Sequence, residues 1–161
     1  MDFLLLAMIV SNVIVNLIGI SANIILAFLV IKKTRKELRN YSILILNCAV
    51  FDFVACICSL FVDQRLIPSE LGYFFFSHGP CRLFGATACY FGYIVMLHCY
   101  PHGLYSLFYS FCYRYYILSH DQPKISTIIA TLAAVYSPSF FQLVRHFTLL
   151  IYFVKQDVFR C

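Results

Sequence analysis

Charge is scarce in this chain and tryptophan is absent. Of its 161 residues only 12% are charged, about half the share usual in a soluble globular domain, and 62% are hydrophobic. A surface facing water cannot be built from so few charges, so the apolar residues must face lipid. No stretch alternates polarity over about ten residues with turn residues between, as the strands of a membrane barrel do. The apolar runs are continuous, which leaves an all-α, polytopic transmembrane bundle, because a helix satisfies its own backbone groups in lipid.

Other absences narrow the function. The eight cysteines include no CxxC pair of the kind that binds zinc or exchanges disulfides. The net charge of +5 does not mark a nucleic-acid surface, since five of the twelve Lys and Arg fall between Lys32 and Arg39, beside a membrane span. The residues ahead of the first apolar run contain Asp2 and no Lys or Arg. No cleavable signal peptide is expected there, and the first span serves as its own insertion signal.

Four spans are expected, at about 3–31, 41–62, 83–118 and 125–144. A helix from Phe3 to Ile31 would exceed ~40 Å at ~1.5 Å per residue, more than the ~30 Å core of a bilayer. It ends at a basic segment from Lys32 to Arg39, which the positive-inside rule puts in the cytoplasm with the N-terminus outside. Span two contains a single charge, Asp52, and emerges through an external loop, Asp63 to Glu70. The third stretch contains Pro101 and is too long for a straight crossing, so it either projects beyond the bilayer or kinks where proline removes a helical hydrogen bond. Ser119 to Lys124 reads as an internal loop, and span four, with Pro138 inside it, returns outward at Arg145-His146. The apolar run Phe147 to Val154 is too short to cross alone; it extends span four or lies along the interface.

Polar residues inside these spans fall on faces. Asn12, Asn16, Gly19 and Asn23 recur at helical spacing in span one, as do Ala49, Asp52, Cys56 and Ser59 in span two. The two stripes would permit close approach of the helices. A carboxylate at mid-bilayer costs about 2.5–3.5 kcal/mol on insertion scales, so Asp52 is expected to face the protein interior or water, with Asn23 as candidate partner. It either fixes helix packing or forms an ion- or proton-sensitive switch. In span three His98, His102, Tyr105, Tyr109 and Cys112 share a face that suits a ligand cavity or plain helix packing. His98 and His102 have a metal-binding spacing, but Pro101 lies between them and no HExxH glutamate follows, so interhelical hydrogen bonding is the better reading. Asn40-Tyr41-Ser42 matches the glycosylation sequon at a cytoplasmic position, where no sugar is expected.

Asn23, Asp52 and Tyr113-Arg114-Tyr115 resemble, in order and depth, the landmark positions of seven-helix G-protein-coupled receptors. Leu38-Arg39-Asn40-Tyr41-Ser42-Ile43-Leu44, Gln64-Arg65-Leu66-Ile67-Pro68, Gly79-Pro80-Cys81 and Ser110-Phe111-Cys112-Tyr113-Arg114-Tyr115-Tyr116 look like the nematode serpentine receptors of class delta. The resemblance runs from about Gly19 to Phe141. It implies a partial seven-transmembrane receptor domain over 1–161, in the plasma membrane, with a small chemical ligand outside and a G protein inside. It implies an intramembrane polar network containing Asn23 and Asp52, and a cytoplasmic role for Arg114. It also implies a disulfide from Cys81 to a cysteine of the next external loop, where Cys161 is the candidate; Cys89 is the rival first partner. Tyr113 stands where many receptors carry an acid before the arginine, so no acid–arginine clasp forms locally.

With about four spans, the chain is expected to be an incomplete copy that cannot signal alone and that associates with other receptors or is unstable. Two other classes are considered: a complete four-span membrane adaptor, and a haem or quinone redox protein using His98, His102 or His146. No catalytic, cofactor-binding or metal-binding residue is assigned, and the residues of a ligand pocket are left open.

Overall fold

The computed structural model describes residues 3–33, 39–69 and 72–159. It is an all-α bundle of α1 (Phe3–Lys33), α2 (Arg39–Val62), α3 (Ala86–Ser119) and α4 (Ile125–Phe159), with a hairpin and a short 3-10 helix (Pro80–Phe84) between α2 and α3. Among the described residues, three segments are long and apolar enough to cross a membrane: Leu5–Lys32, Asn40–Val62 and Ile125–Leu149. α3 has the length, but its Tyr, His, Ser and Gly residues dilute its apolar character. Its buried His98, His102, Ser106 and Ser110 are spent on packing, for α3 lies against both α2 and α4 while α1 packs chiefly on α2.

Neighbouring helices run antiparallel. Early α1 meets late α2, where the Asn16 side chain donates to Ser59 Oγ at 3.2 Å and Asn12 donates to Asp63 Oδ1 at 2.6 Å. Deeper, a Cβ on Gly19 would stand 2.8 Å from Cys56 Sγ. The two small-residue stripes therefore do face each other, as helices packing in lipid require. The rest of α1 presents exposed apolar side chains, among them Leu17, Ile18, Ile25 and Phe28.

At the opposite end the core is built from Leu44, Tyr113 and Ile128, with Tyr41, Tyr109, Ile117 and Leu132 packed around them. Late α2 and early α3 are equally close, since a Cβ on Gly92 would come within 2.8 Å of Val62 Cγ2.

The connection after α2, expected only as an external loop over Asp63 to Glu70, contains a β-hairpin. Strands β1 (Gln64–Ser69) and β2 (Gly72–Ser77) pair antiparallel, from Gln64↔Ser77 to Ser69↔Gly72. The run Tyr73-Phe74-Phe75-Phe76 has the aromatic composition that favours strands. Pro68 is tolerated because a two-stranded sheet consists only of edges. Asp63 makes the turn into the hairpin at φ +40°, a left-handed conformation in which aspartate is enriched. Its amide bonds Ser59 O at 2.8 Å and its carbonyl accepts from His78 N at 3.1 Å.

Two boundaries differ from expectation. α3 begins at Ala86 rather than near Leu83, because the 3-10 turn ends at Gly85, whose φ of +94° suits only glycine. α4 does not stop at Val144: it continues through Arg145 and His146 to Phe159. No glycine or proline follows Pro138 in that helix, so nothing breaks it, and the apolar run from Phe147 extends the span. Both α3 and α4 continue through their internal prolines, Pro101 and Pro138.

Candidate functional site

One polar centre is buried within the bundle and another is exposed at its end. The first spans α2, α3 and α4 at mid-height. His102 is 1% exposed, and both its ring nitrogens are engaged. Nε2 lies 3.1 Å from Asn47 Nδ2 and 3.2 Å from Ser106 Oγ, and Nδ1 lies 3.4 Å from Ser139 Oγ. The Asn47 amide also donates to Ser106 Oγ at 3.0 Å, and Ser139 donates to Tyr136 O at 3.0 Å. With the hydrogen on Nδ1, the ring donates to Ser139, and the single lone pair of Nε2 is shared between the Asn47 amide and the Ser106 hydroxyl. His98 Nδ1 donates to the Ser139 carbonyl at 2.9 Å. Phe51 and Tyr136 pack on the imidazoles, with ring centroids 3.9 Å and 5.2 Å from that of His102.

This centre corrects the face expected on α3. His98 and His102 are buried, but Ser106, Ser110 and Tyr113 continue the buried side, while Tyr105 and Cys112 are exposed and Tyr109 is half-buried. A spacing of four advances around a 3.6-residue helix, so the buried stripe winds as α3 passes from one neighbour to the other. Neither Asn47 nor Ser139 belongs to a stripe expected from sequence. An uncharged amide in the apolar run of span two is the signal that points to Asn47.

Asn23 and Asp52 are not joined. Asn23 donates to its own helix, at Gly19 O, 2.9 Å away. Asp52 is exposed rather than enclosed, and a Cβ on Gly103 of α3 would lie 3.5 Å from its Oδ1. The carboxylate thus rests against a glycine at the open side of α2 and α3. The polar pair that forms on α1 is Asn12 and Asn16, whose side chains bond each other at 2.7 Å.

The second centre lies at the end of the bundle away from the hairpin. Arg114 donates to the Tyr41 hydroxyl, and its guanidinium carbon sits 4.7 Å above the Tyr41 ring and 6.0 Å from that of Phe111. Ser110 donates to the same hydroxyl at 3.4 Å, and Tyr41 stacks on Tyr113 with centroids 6.1 Å apart. The Asn40 amide donates to Pro123 O at 3.1 Å, tying the start of α2 to the α3–α4 connection. A phenol and its π-face thus hold the arginine where an acid would otherwise do so. Tyr41 belongs to a family-like motif at the start of α2, but nothing in sequence links it to Arg114.

Cys81 and Cys89 are bonded to each other. Neither thiol is therefore available to Cys161, the partner expected from the resemblance, which lies outside the described residues. The turn at Gly85 folds the chain back between the two cysteines. Cys48, Cys56, Cys58, Cys99 and Cys112 are free thiols. Among the described residues no group of three or more His, Cys, Asp or Glu is placed to hold a metal. A haem or quinone reading would need His98 or His102, whose rings are tied to Asn47, Ser106 and Ser139.

Comparison with known proteins gives one consistent result. The family model described as serpentine type 7TM GPCR chemoreceptor Srd matches residues 8–159. The chain is 35% identical over 137 residues to serpentine receptor class delta-19 of Caenorhabditis elegans, covering 84% of this chain and 40% of that protein. It is 39% identical over 121 residues to class delta-2 of the same organism, covering 75% and 33%, and 35% identical over 135 residues to class delta-18, covering 83% and 40%. The chain thus spans 40% or less of the length of each of these three curated relatives. No solved structure matches it.

Proposed function

The chain belongs to the Srd family of serpentine seven-transmembrane chemoreceptors, and from that premise we propose that it is the N-terminal part of a G-protein-coupled chemoreceptor of the plasma membrane. As a family member it is a multi-pass, chemosensory membrane protein rather than an enzyme. In the proposed orientation the N-terminus and the hairpin face outside, where a small chemical ligand arrives, and Arg114 faces the cytoplasm, where a G protein engages.

The observation that carries this reading is the place of Arg114. It stands on the centrally packed helix, at the end opposite the hairpin, held by the Tyr41 hydroxyl and ring. Lys32 and Lys33 at the end of α1 and Arg39 at the start of α2 lie at that same end, which supports the sidedness. The 161 residues alone are inert toward G proteins. The open side beside Asp52 and the modest share of the relatives' length both support that statement. A carboxylate left beside lipid is costly, so association with further helices is favoured there.

The test is expression with a tag at each end, impermeant labelling of intact cells, and recruitment of a G-protein probe. Labelling of the N-terminal tag without recruitment is expected. A protected N-terminal tag would refute the orientation, and ligand-dependent recruitment by this chain alone would refute its incompleteness.

A further inference from the structure

The hairpin end contains a cavity of about 510 Å³ between α1, the end of α2, the first hairpin strand and α3. That volume falls in the range of ~300–1,000 Å³ typical of small-molecule sites. One wall is apolar: Leu5, Met8 and Ile9 share the face of α1 that continues to Asn12, and Tyr100 of α3 stands with them. The other wall carries both signs of charge, with Asp63 at the end of α2 and Arg65 in β1, and His78 after β2 lines it as well.

Asp63 and Arg65 balance, so the cavity favours neither a simple anion nor a simple cation. They do not, however, neutralise each other by contact. Among the described residues Arg65 forms no ion pair, and the Asp63 carboxylate is held toward α1, where Oδ1 accepts from the Asn12 amide at 2.6 Å. Asn12 is itself fixed, because its Oδ1 accepts from Asn16 at 2.7 Å and from Ser59 at 3.4 Å. Backbone bonds from His78 N to Asp63 O and from Gly79 N to Val62 O, both 3.1 Å, hold the frame. A carboxylate has about four acceptor positions on its two oxygens, so one amide leaves Asp63 with capacity for a ligand. The cavity thus keeps a cation and an anion apart beside an apolar wall.

We propose that this cavity binds a small zwitterion, an α-amino acid with an apolar side chain. Its ammonium donates to Asp63, its carboxylate pairs with Arg65, and its side chain rests on Leu5, Ile9 and Tyr100. Both polar contacts are charge-assisted and of the strong kind, and only a ligand carrying both charges makes the two together. Its meaning as a signal rests on the receptor reading, whereas the binding is a property of this chain.

The experiment uses the full 161-residue chain in maltoside micelles, whose headgroups are uncharged, titrated with L-phenylalanine, phenylalaninamide, N-acetylphenylalanine and glycerophosphocholine. Phenylalanine should bind saturably, and about tenfold or more tightly than the amide, which lacks the carboxylate, or the acetyl derivative, which lacks the ammonium. Arg65→Gln should remove the preference over the amide and keep the one over the acetyl derivative. Asp63→Asn, which keeps an oxygen for Asn12 and suits the left-handed backbone, should do the reverse. Misfolding would remove both preferences together, so the crossed pattern isolates the charges, and Arg65→Lys should retain both. Equal binding of phenylalanine and a singly charged analogue, no saturable binding, preferences unchanged in Arg65→Gln or Asp63→Asn, or preferences lost in Arg65→Lys would overturn the assignment. Tighter binding of glycerophosphocholine than of phenylalanine would put a lipid headgroup in the cavity and overturn it too. Micelles expose both ends of the bundle, so this binding does not depend on sidedness. A protected N-terminal tag in intact cells, with phenylalanine bound as expected in micelles, would count against the receptor reading alone.

Discussion

The three-helix centre at His102 has a measurable strength that mutation can test. His102→Phe keeps a ring beside Phe51 and Tyr136 but removes both nitrogens, and with them the bonds to Asn47, Ser106 and Ser139. Hydrogen bonds between helices in membranes contribute about 0.6 kcal/mol on average, with a maximum near 1.7. Removing three such bonds from a site only 1% exposed should therefore cost roughly 2 kcal/mol. Asn47→Leu should cost less, about 1 kcal/mol, because Ser106 still donates to Nε2. The double variant should fall short of the sum by roughly 0.6–1.7 kcal/mol, since each single change already breaks the bond that the two residues share. Reversible unfolding in mixed micelles, or steric trapping in bicelles, measures all three. Additivity within about 0.3 kcal/mol would show that Asn47 and His102 do not touch, and the description of the centre would be wrong.

Other expectations follow from the two ends. At Arg114, Tyr41→Phe keeps the ring and Tyr41→Leu removes it; an exposed cation–π contact contributes about 0.5–1 kcal/mol. Phenylglyoxal should therefore modify Arg114 several-fold faster in the leucine variant than in the phenylalanine one, and equal rates would refute the stacking. Gly79→Ala would place a Cβ 2.7 Å from the Val62 carbonyl carbon, a clash of rigid backbones that should cost about 1–3 kcal/mol. Hydrogen exchange at the His78 and Gly79 amides should rise, and unchanged protection would show that the approach is looser than described. The bond between Cys81 and Cys89 closes a separation of 8 residues, so replacing both by serine should cost about 2–3 kcal/mol through the unfolded chain. Recovery of these two cysteines on unlinked peptides from unreduced protein would refute the pairing.

Much of the bundle is legible in the sequence because lipid leaves few alternatives. Long apolar runs have to be helices, and Asn12, Asn16 and Gly19 have to seek another helix. What the sequence conceals depends on chain reversal and on distant pairs. The hairpin is hidden because β1 and β2 are stabilised by each other, and the aromatic run of β2 means little until β1, with its Pro68, is seen to pair with it. Tyr41 and Arg114, or His102 and its partners Asn47 and Ser139, meet only once the depths of separate helices are fixed. Asp52 does share a stripe with Ala49 and Cys56, but its partner depends on what covers the open side. The end of α4 lies beyond its expected place because Arg145 and His146 suggest a stop, although charge at a membrane boundary does not disturb backbone hydrogen bonding. Gly85 sets the start of α3 through a dihedral angle that composition does not display.

Helix packing joins neighbours in the chain: α1 to α2, α2 to α3 and α3 to α4. Such an arrangement can form in the order of synthesis. α2 meets a finished α1, the hairpin and the short cysteine-closed turn bring α3 back at once, and α4 then settles against α3. No segment has to wait for a remote one, so loop-closure entropy remains small at each step. Assembly can thus run as a relay in which each helix after α1 packs on the one made before it, and a defect in α3 should keep α4 from docking while leaving the α1–α2 pair intact.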